Sequence, residues 1–164
     1  MARKKQEPEK GGNRLITRNR KATHDYSIED TIEAGLVLRG SEIKSIRAGR
    51  VNLRDSYVTF RQGEAWLVGA HIAGYDSASY QDHNPLRDRK LLLHRREIER
   101  WRSRVVERGY TVVPLRLYLK NNRAKVEIGL ARGKRQYDKR EAIRQRETDR
   151  TVQRGIREAL RGER

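Results

Sequence analysis

The sequence contains no cysteine, which excludes disulfides and thiolate metal sites and fits a reducing cytoplasm. No apolar run approaches membrane-spanning length, and the first residues, MARKKQEPEKGGNR, lack the apolar stretch of a secretion signal. The expectation is a cytoplasmic protein with no membrane partner. HExxH, GxSxG, Walker and GxGxxG patterns are all missing, and the histidines His24, His71, His83 and His94 show no paired ligand spacing. Nothing here implies a metal or a cofactor. Acidic residues are scarce as well, with 22 Asp and Glu against 39 Lys and Arg.

That imbalance leaves a formal net charge of +17 on 164 residues. A polyanionic partner follows, and nucleic acid is the commonest one for a soluble basic chain. A membrane surface fits less well, because no long apolar stretch accompanies the charge. Hydrophobic residues make up 35% and charged ones 37%, so the chain suits one domain with a modest core, plus tails.

Residues 1–18 are polar and basic, with Pro8, Gly11 and Gly12, and read as a flexible arm. From Asp25 to Leu38 the period is two: Tyr26, Ile28, Ile32, Ala34, Leu36 and Leu38 fall on one side, and Ser27, Glu29, Thr31 and Glu33 on the other. Gly40 breaks this strand, Ser41 is placed to cap a short helix carrying Ile43 and Ile46, and Gly49 can end it with φ > 0. Tyr57–Phe60 and Ala65–Ile72 flank a hairpin turn at Arg61-Gln62-Gly63-Glu64. Residues 74–86 read as a loop. The period then turns helical, with Ile98, Trp101, Val105 and Val106 on one stripe and Gly109 as the stop. Two further strands meet at Asn121-Asn122, and Pro114 within the first of them suits an edge or a bulge. Five or six antiparallel strands with two to three helices give a mainly β domain over residues 19–132. Residues 133–164 form a basic tail in which Gly155 interrupts the apolar stripe Val152, Ile156, Ala159 and Leu160. The tail has too little apolar surface to fold alone, and is expected to be disordered when free and helical on a partner.

RNA binding needs cations for phosphates and flat groups for unstacked bases. Asn19, Arg20, Lys21, His24 and Tyr26 supply both within eight positions. Arg87, Arg89 and Lys90 form a second basic group, followed by Leu91 to Leu93, which belong to the core or to a rim that packs on a base. Glu33 is either one half of a cross-strand ion pair or an acceptor for a base amino group. In Gly133-Lys134-Arg135-Gln136-Tyr137-Asp138-Lys139-Arg140, cations surround one ring that can stack on a nucleobase. His24-Asp25 could be drawn as a nuclease acid–base pair, but a polar pair at a strand edge or a contact to RNA accounts for it better.

Five blocks in register carry a family resemblance: NRKATHDY (Asn19 to Tyr26), EAGLVLRGSEIKSIRAGRVNLRDSY (Glu33 to Tyr57), RDRKLLLHRREI (Arg87 to Ile98), GYTVVPLRLYLK (Gly109 to Lys120) and GKRQYDKR (Gly133 to Arg140). Together they resemble the SsrA-binding protein (small protein B) family, the bacterial partner of transfer-messenger RNA. The resemblance implies closure of the sheet into a barrel of the oligonucleotide-binding type. It also implies a monomer that holds the transfer-RNA-like part of that RNA, with Asn19, Glu33 and Leu91 at matching positions. The tail would enter the messenger channel of a stalled ribosome and contact its decoding region, so that trans-translation rescues the ribosome. Many relatives carry His where this chain has Tyr137, a change that keeps a flat ring but not a titratable one. On residues alone, a ribosomal or other translation-associated RNA-binding barrel is the alternative.

Overall fold

A computed structural model describes residues 13–75, 82–134 and 136–162. The chain runs β1 (Asn13–Arg18), α1 (Arg20–Asp25), β2 (Tyr26–Leu36), α2 (Gly40–Arg47), β3 (Val51–Asn52), β4 (Tyr57–Arg61), β5 (Glu64–Val68), β6 (His71–Ile72), β7 (Arg89–Leu92), α3 (Arg95–Arg108), β8 (Thr111–Lys120), β9 (Arg123–Gly133) and α4 (Gln136–Gly162). Seven strands form one antiparallel sheet in the order β1-β8-β4-β5-β7-β2-β9, and β3 pairs with β6 separately. β8 and β9 also pair directly, from Thr111↔Ala131 to Lys120↔Arg123, so the order of neighbours returns on itself.

Alternation decides which side of each strand is buried. In β2, Ala34 is buried and Ile32 and Leu36 pack on the core, while Ser27, Glu29, Thr31 and Glu33 face out. The inward set of β8 and β9, including Val112, Leu117, Val126, Ile128 and Leu130, meets Ile98 and Trp101 from α3 and Ile46 from α2. Gln62 and Gly63 (φ 51° and 73°) and Asn121 and Asn122 (φ 50° and 62°) make the two tight hairpin turns. Pro114 lies in β8 where the register slips between Pro114 and Arg116, a bulge that tolerates the missing N–H.

Several expectations need correction. Asn13–Arg18 is not part of a loose arm but a strand hydrogen-bonded to β8, because Leu15 and Ile16 give it apolar residues to lay on the sheet; residues 1–12 lie outside the described ones. Among the described residues the domain carries three helices, within the expected two to three, and α4 adds a fourth in the tail; α1 falls between the expected arm and the first expected strand. The cap of α2 is Arg39, not Ser41, since the helix starts at Gly40, two residues earlier than a Ser41 cap requires. Val106 is 74% exposed and off the buried stripe of α3. Gly69 (φ 78°) divides Ala65–Ile72 into β5 and β6. Gly155 does not break the tail helix, which runs from Gln136 to Gly162.

One buried carboxylate ties the elements together. Glu42, fully buried in α2, accepts from Arg39 N–H at 2.8 Å and from Arg87 Nη2 at 2.6 Å on Oε2. Its Oε1 accepts from Arg89 Nε at 2.8 Å and Arg87 Nε at 3.2 Å. Arg89, also fully buried, donates onward to the carbonyls of Ala70 (2.8 Å) and Pro85 (3.0 Å). His83 secures the same region: its Nε2 donates to the Ile72 carbonyl at 2.9 Å, and its Nδ1 lies 2.8 Å from Ser41 Oγ. Burial alone would push the Glu42 carboxyl up, but the hydrogen bonds from Arg87, Arg39 N–H and Arg89 hold it below the ordinary carboxylate range.

Glu42→Ala leaves the Arg89 guanidinium buried without its counter-charge and should cost about 3–5 kcal/mol in urea unfolding. Because the folded pKa is depressed, this stabilisation is present above the unfolded carboxylate value, near ~4.3, and fades as pH falls through the folded value. Glu42→Gln should therefore flatten the acid limb of stability against pH; an unchanged limb would show that Glu42 is not the group lost there.

Candidate nucleic-acid interface

The first basic block is built on Asn19. Its Oδ1 accepts from Ala22 N–H at 3.2 Å, capping α1, and its Nδ2 donates to the carbonyls of Leu53 and Pro114, each at 3.0 Å. Both amide hydrogens are thereby used, and only 6% of the residue is exposed. Asn19 thus stitches β1, α1, the β3–β4 connection and β8 together, and the amide is occupied by the fold. α1 then presents Arg20 and Lys21 to solvent. Lys21 pairs with Asp55, and His24 Nδ1 lies 2.8 Å from Asp25 Oδ1. Tyr26 packs half-buried against a small cluster of Ala22, Val113 and Ala131. Lys21, Asp25, Tyr26, Asp55 and Tyr57 line a shallow cleft of about 220 Å³. The His24–Asp25 pair sits at the end of α1, at the edge of the strand that follows.

Glu33 occupies the outward face of β2. The Tyr118 hydroxyl donates to its Oε2, and Lys120 Nζ lies 3.4 Å from Oε1. The cross-strand ion pair is therefore present, but it is long and leaves much of the carboxylate open. The Tyr118 hydrogen bond holds the Glu33 carboxyl below its ordinary value against desolvation, with Lys120 and Lys125 adding to the effect. In turn, burial and the bond to Glu33 push the Tyr118 phenol well above its ordinary range. Lys120, Asn121, Arg123 and Lys125 line the same depression. An ionised acceptor ringed by cations can take a hydrogen from a base edge while the rim holds backbone phosphates.

The second basic block does not form a surface patch. In β7 alternation turns Arg89 and Leu91 inward, and they are 0% and 1% exposed. Neither side chain reaches the surface: Arg89 is committed to Glu42, and Leu91 is core. Arg87 grips the same carboxylate through two nitrogens. Lys90 faces out and pairs with Glu64 at 2.6 Å. The leucine that does reach solvent is Leu92, 55% exposed.

At the start of the tail, Gly133 ends β9 and Lys134 is clasped to α1, its N–H donating to Asp25 O at 2.9 Å and its Nζ to Thr23 O at 3.2 Å. Arg140 is exposed on α4. Arg135 lies outside the described residues, as do the side chains of Tyr137, Asp138 and Lys139. Val152, Ile156 and Leu160 stand exposed along α4.

Tyr118, Lys120 and Lys125 were missed as partners of Glu33. Their outward positions in β8 and β9 were legible from alternation; that Lys125 lies one strand from Glu33, and Tyr118 and Lys120 two strands away, required the strand order. Tyr118→Phe removes the donor that acts most strongly on Glu33, so the Glu33 carboxyl should titrate at a higher pH than in the native chain. Carboxyl-detected NMR titration reads this directly. An unmoved Glu33 would mean that the cations, not the phenol, set its charge.

Comparison with known proteins gives consistent matches. The family model described as "SmpB protein" matches residues 16–158. The SsrA-binding protein of Roseiflexus castenholzii is 62% identical over 152 residues, 92% of this chain and 96% of that one. The SsrA-binding protein of Geobacillus kaustophilus is 55% identical over 149 residues, 91% and 96% of the two chains. Among solved structures, a chain from one described as "tmRNA-SmpB: a journey to the center of the bacterial ribosome" aligns with TM-score 0.63 and 46% identity, covering 78% of this chain and 94% of that one.

Proposed function

Since the chain belongs to the SmpB protein family, we propose that it binds transfer-messenger RNA and delivers it to stalled ribosomes for trans-translation. The match to that family across both the sheet and the tail carries this reading. It is a non-catalytic role, carried out in the cytoplasm. The sheet, whose β8–β9 pairing returns the strand order to β8 with β1 paired alongside, serves as an oligonucleotide-binding-type barrel. Residues 13–134 act as the RNA-binding unit and α4 as the ribosome-directed unit. Glu33 reads a base edge of the transfer-RNA-like part, and Lys120, Arg123 and Lys125 hold its phosphates. Arg20, Lys21, His24 and Tyr26 act from α1 and the start of β2, with Asn19 positioning them. Tyr137 and the cations around it serve at the decoding region, and α4 follows the messenger channel. An acceptor carboxylate in a cationic rim supports the assignment to Glu33, because a site meant only for phosphate gains nothing from a negative charge.

Truncation after Lys134 should leave a folded domain that binds the RNA but no longer supports tagging. Circular dichroism, RNA affinity and a stalled-ribosome tagging assay separate the two functions. Within the full chain, Glu33→Gln should weaken RNA binding by about 1–3 kcal/mol. Tyr137→Ala should instead spare RNA affinity and impair tagging, with Tyr137→His restoring most of it through base stacking. Equal losses of RNA affinity in Glu33→Gln and Tyr137→Ala would sink the two-unit division.

A further inference from the structure

The outward face of the sheet carries a transverse row of charges that the fold alone leaves unbalanced. Arg18 in β1 is the direct cross-strand partner of Arg116 in β8, Arg116 of Glu127 in β9, and Glu127 of Glu33 in β2. Reading across, the row runs plus, plus, minus, minus. At one end Glu33 is compensated by Tyr118 and Lys120. In the middle Arg116 Nε donates to Glu127 Oε2. The remaining charge is Arg18, set opposite another arginine, an arrangement that is unfavourable by itself. Among the described residues its guanidinium has no hydrogen-bond or ion-pair partner, and neither has that of Arg20 at the start of α1.

Both arginines border a groove of about 810 Å³ between β1, α1 and β8. Leu15, 44% exposed, and the half-buried Leu115 also line it. The arrangement offers two uncommitted guanidinia beside apolar surface. A phosphate removes the like-charge cost at Arg18, and an unstacked base covers the leucines. Glu127 also lines the groove, but its charge is taken up by Arg116. The row places the groove three strand spacings from Glu33, roughly 14 Å on the same face.

We propose that this groove seats one unpaired nucleotide of the RNA that Glu33 reads, its phosphate between Arg18 and Arg20 and its base against Leu15 and Leu115. The inference rests on the reading of transfer-messenger RNA as the ligand and extends its contact surface across the sheet to β1.

The test uses the full chain and the isolated transfer-RNA-like part of transfer-messenger RNA. The double variant Arg18→Gln with Arg20→Gln should bind about ten- to hundredfold more weakly, the range for losing charge-assisted hydrogen bonds. Its plot of log affinity against log salt should be shallower by about 0.7–0.9, the value for one phosphate. In the free protein, Arg18→Gln alone should raise the melting temperature, because the repulsion from Arg116 is relieved. A weaker affinity with an unchanged salt slope would overturn the proposal, since the loss would not be that of a phosphate contact. Native affinity and slope in the double variant would overturn it too, while the wild-type binding measured alongside leaves the broader reading intact. Failure of the wild-type chain to bind this RNA would overturn both.

Discussion

The Glu42 carboxylate is the interaction on which the surface arrangement depends. A chain with so large an excess of arginine has to bury some of it, because β7 crosses the sheet with one side facing the core. Burying a guanidinium costs several kcal/mol unless an opposite charge and further acceptors meet it. Glu42 provides the charge, and the carbonyls of Ala70 and Pro85 provide the acceptors. The capping contact to Arg39 N–H fixes the carboxylate at the first turn of α2. α2, β7 and the segment before β7 are thereby locked in one register, and the remaining cations are left on the outside.

Much of the fold was legible because alternation and turn chemistry are local. The outward placement of Glu33, the turn at Asn121-Asn122 and the bulge at Pro114 all follow from patterns within a few residues. α1 was missed because a six-residue helix has almost no periodicity to show; its one signal was Asn19 as a capping residue. Arg89 misled for a different reason. Its charge suggested the surface, yet the alternation with Leu91 in β7 placed it inside, and only the distant Glu42 makes that position tolerable. In the candidate site, Glu33 could be singled out from sequence as an acid amid bases. Tyr118, 85 residues away along the chain, could not be paired with it until the neighbours of β2 were known.

The outer face of the sheet is a graded surface rather than a uniformly basic one. Anionic groups stand toward β2, each held by a tyrosine and a cation: Glu33 with Tyr118 and Lys120, and Glu29 with Tyr110 and Arg132. Arg132 also lies 4.3 Å over the Tyr110 ring. Arg18 and Arg20, without a side-chain partner among the described residues, stand toward β1. A polyanion crossing this face would meet carboxylate acceptors on one side and arginine cations on the other. Such a gradient fixes the direction in which a strand lies, which net charge alone cannot do.

The clasp of Lys134 onto α1 has a mechanical side. α4 spans 27 residues, and at 1.5 Å per residue it is a rod of about 40 Å. The backbone and side-chain contacts of Lys134 to Asp25 and Thr23 sit at its root. A rotation of about 10° there carries the far tip through roughly 7 Å, more than one full helical turn of rise. The root of the rod is thus tied to the element that also carries Arg20, Lys21 and His24.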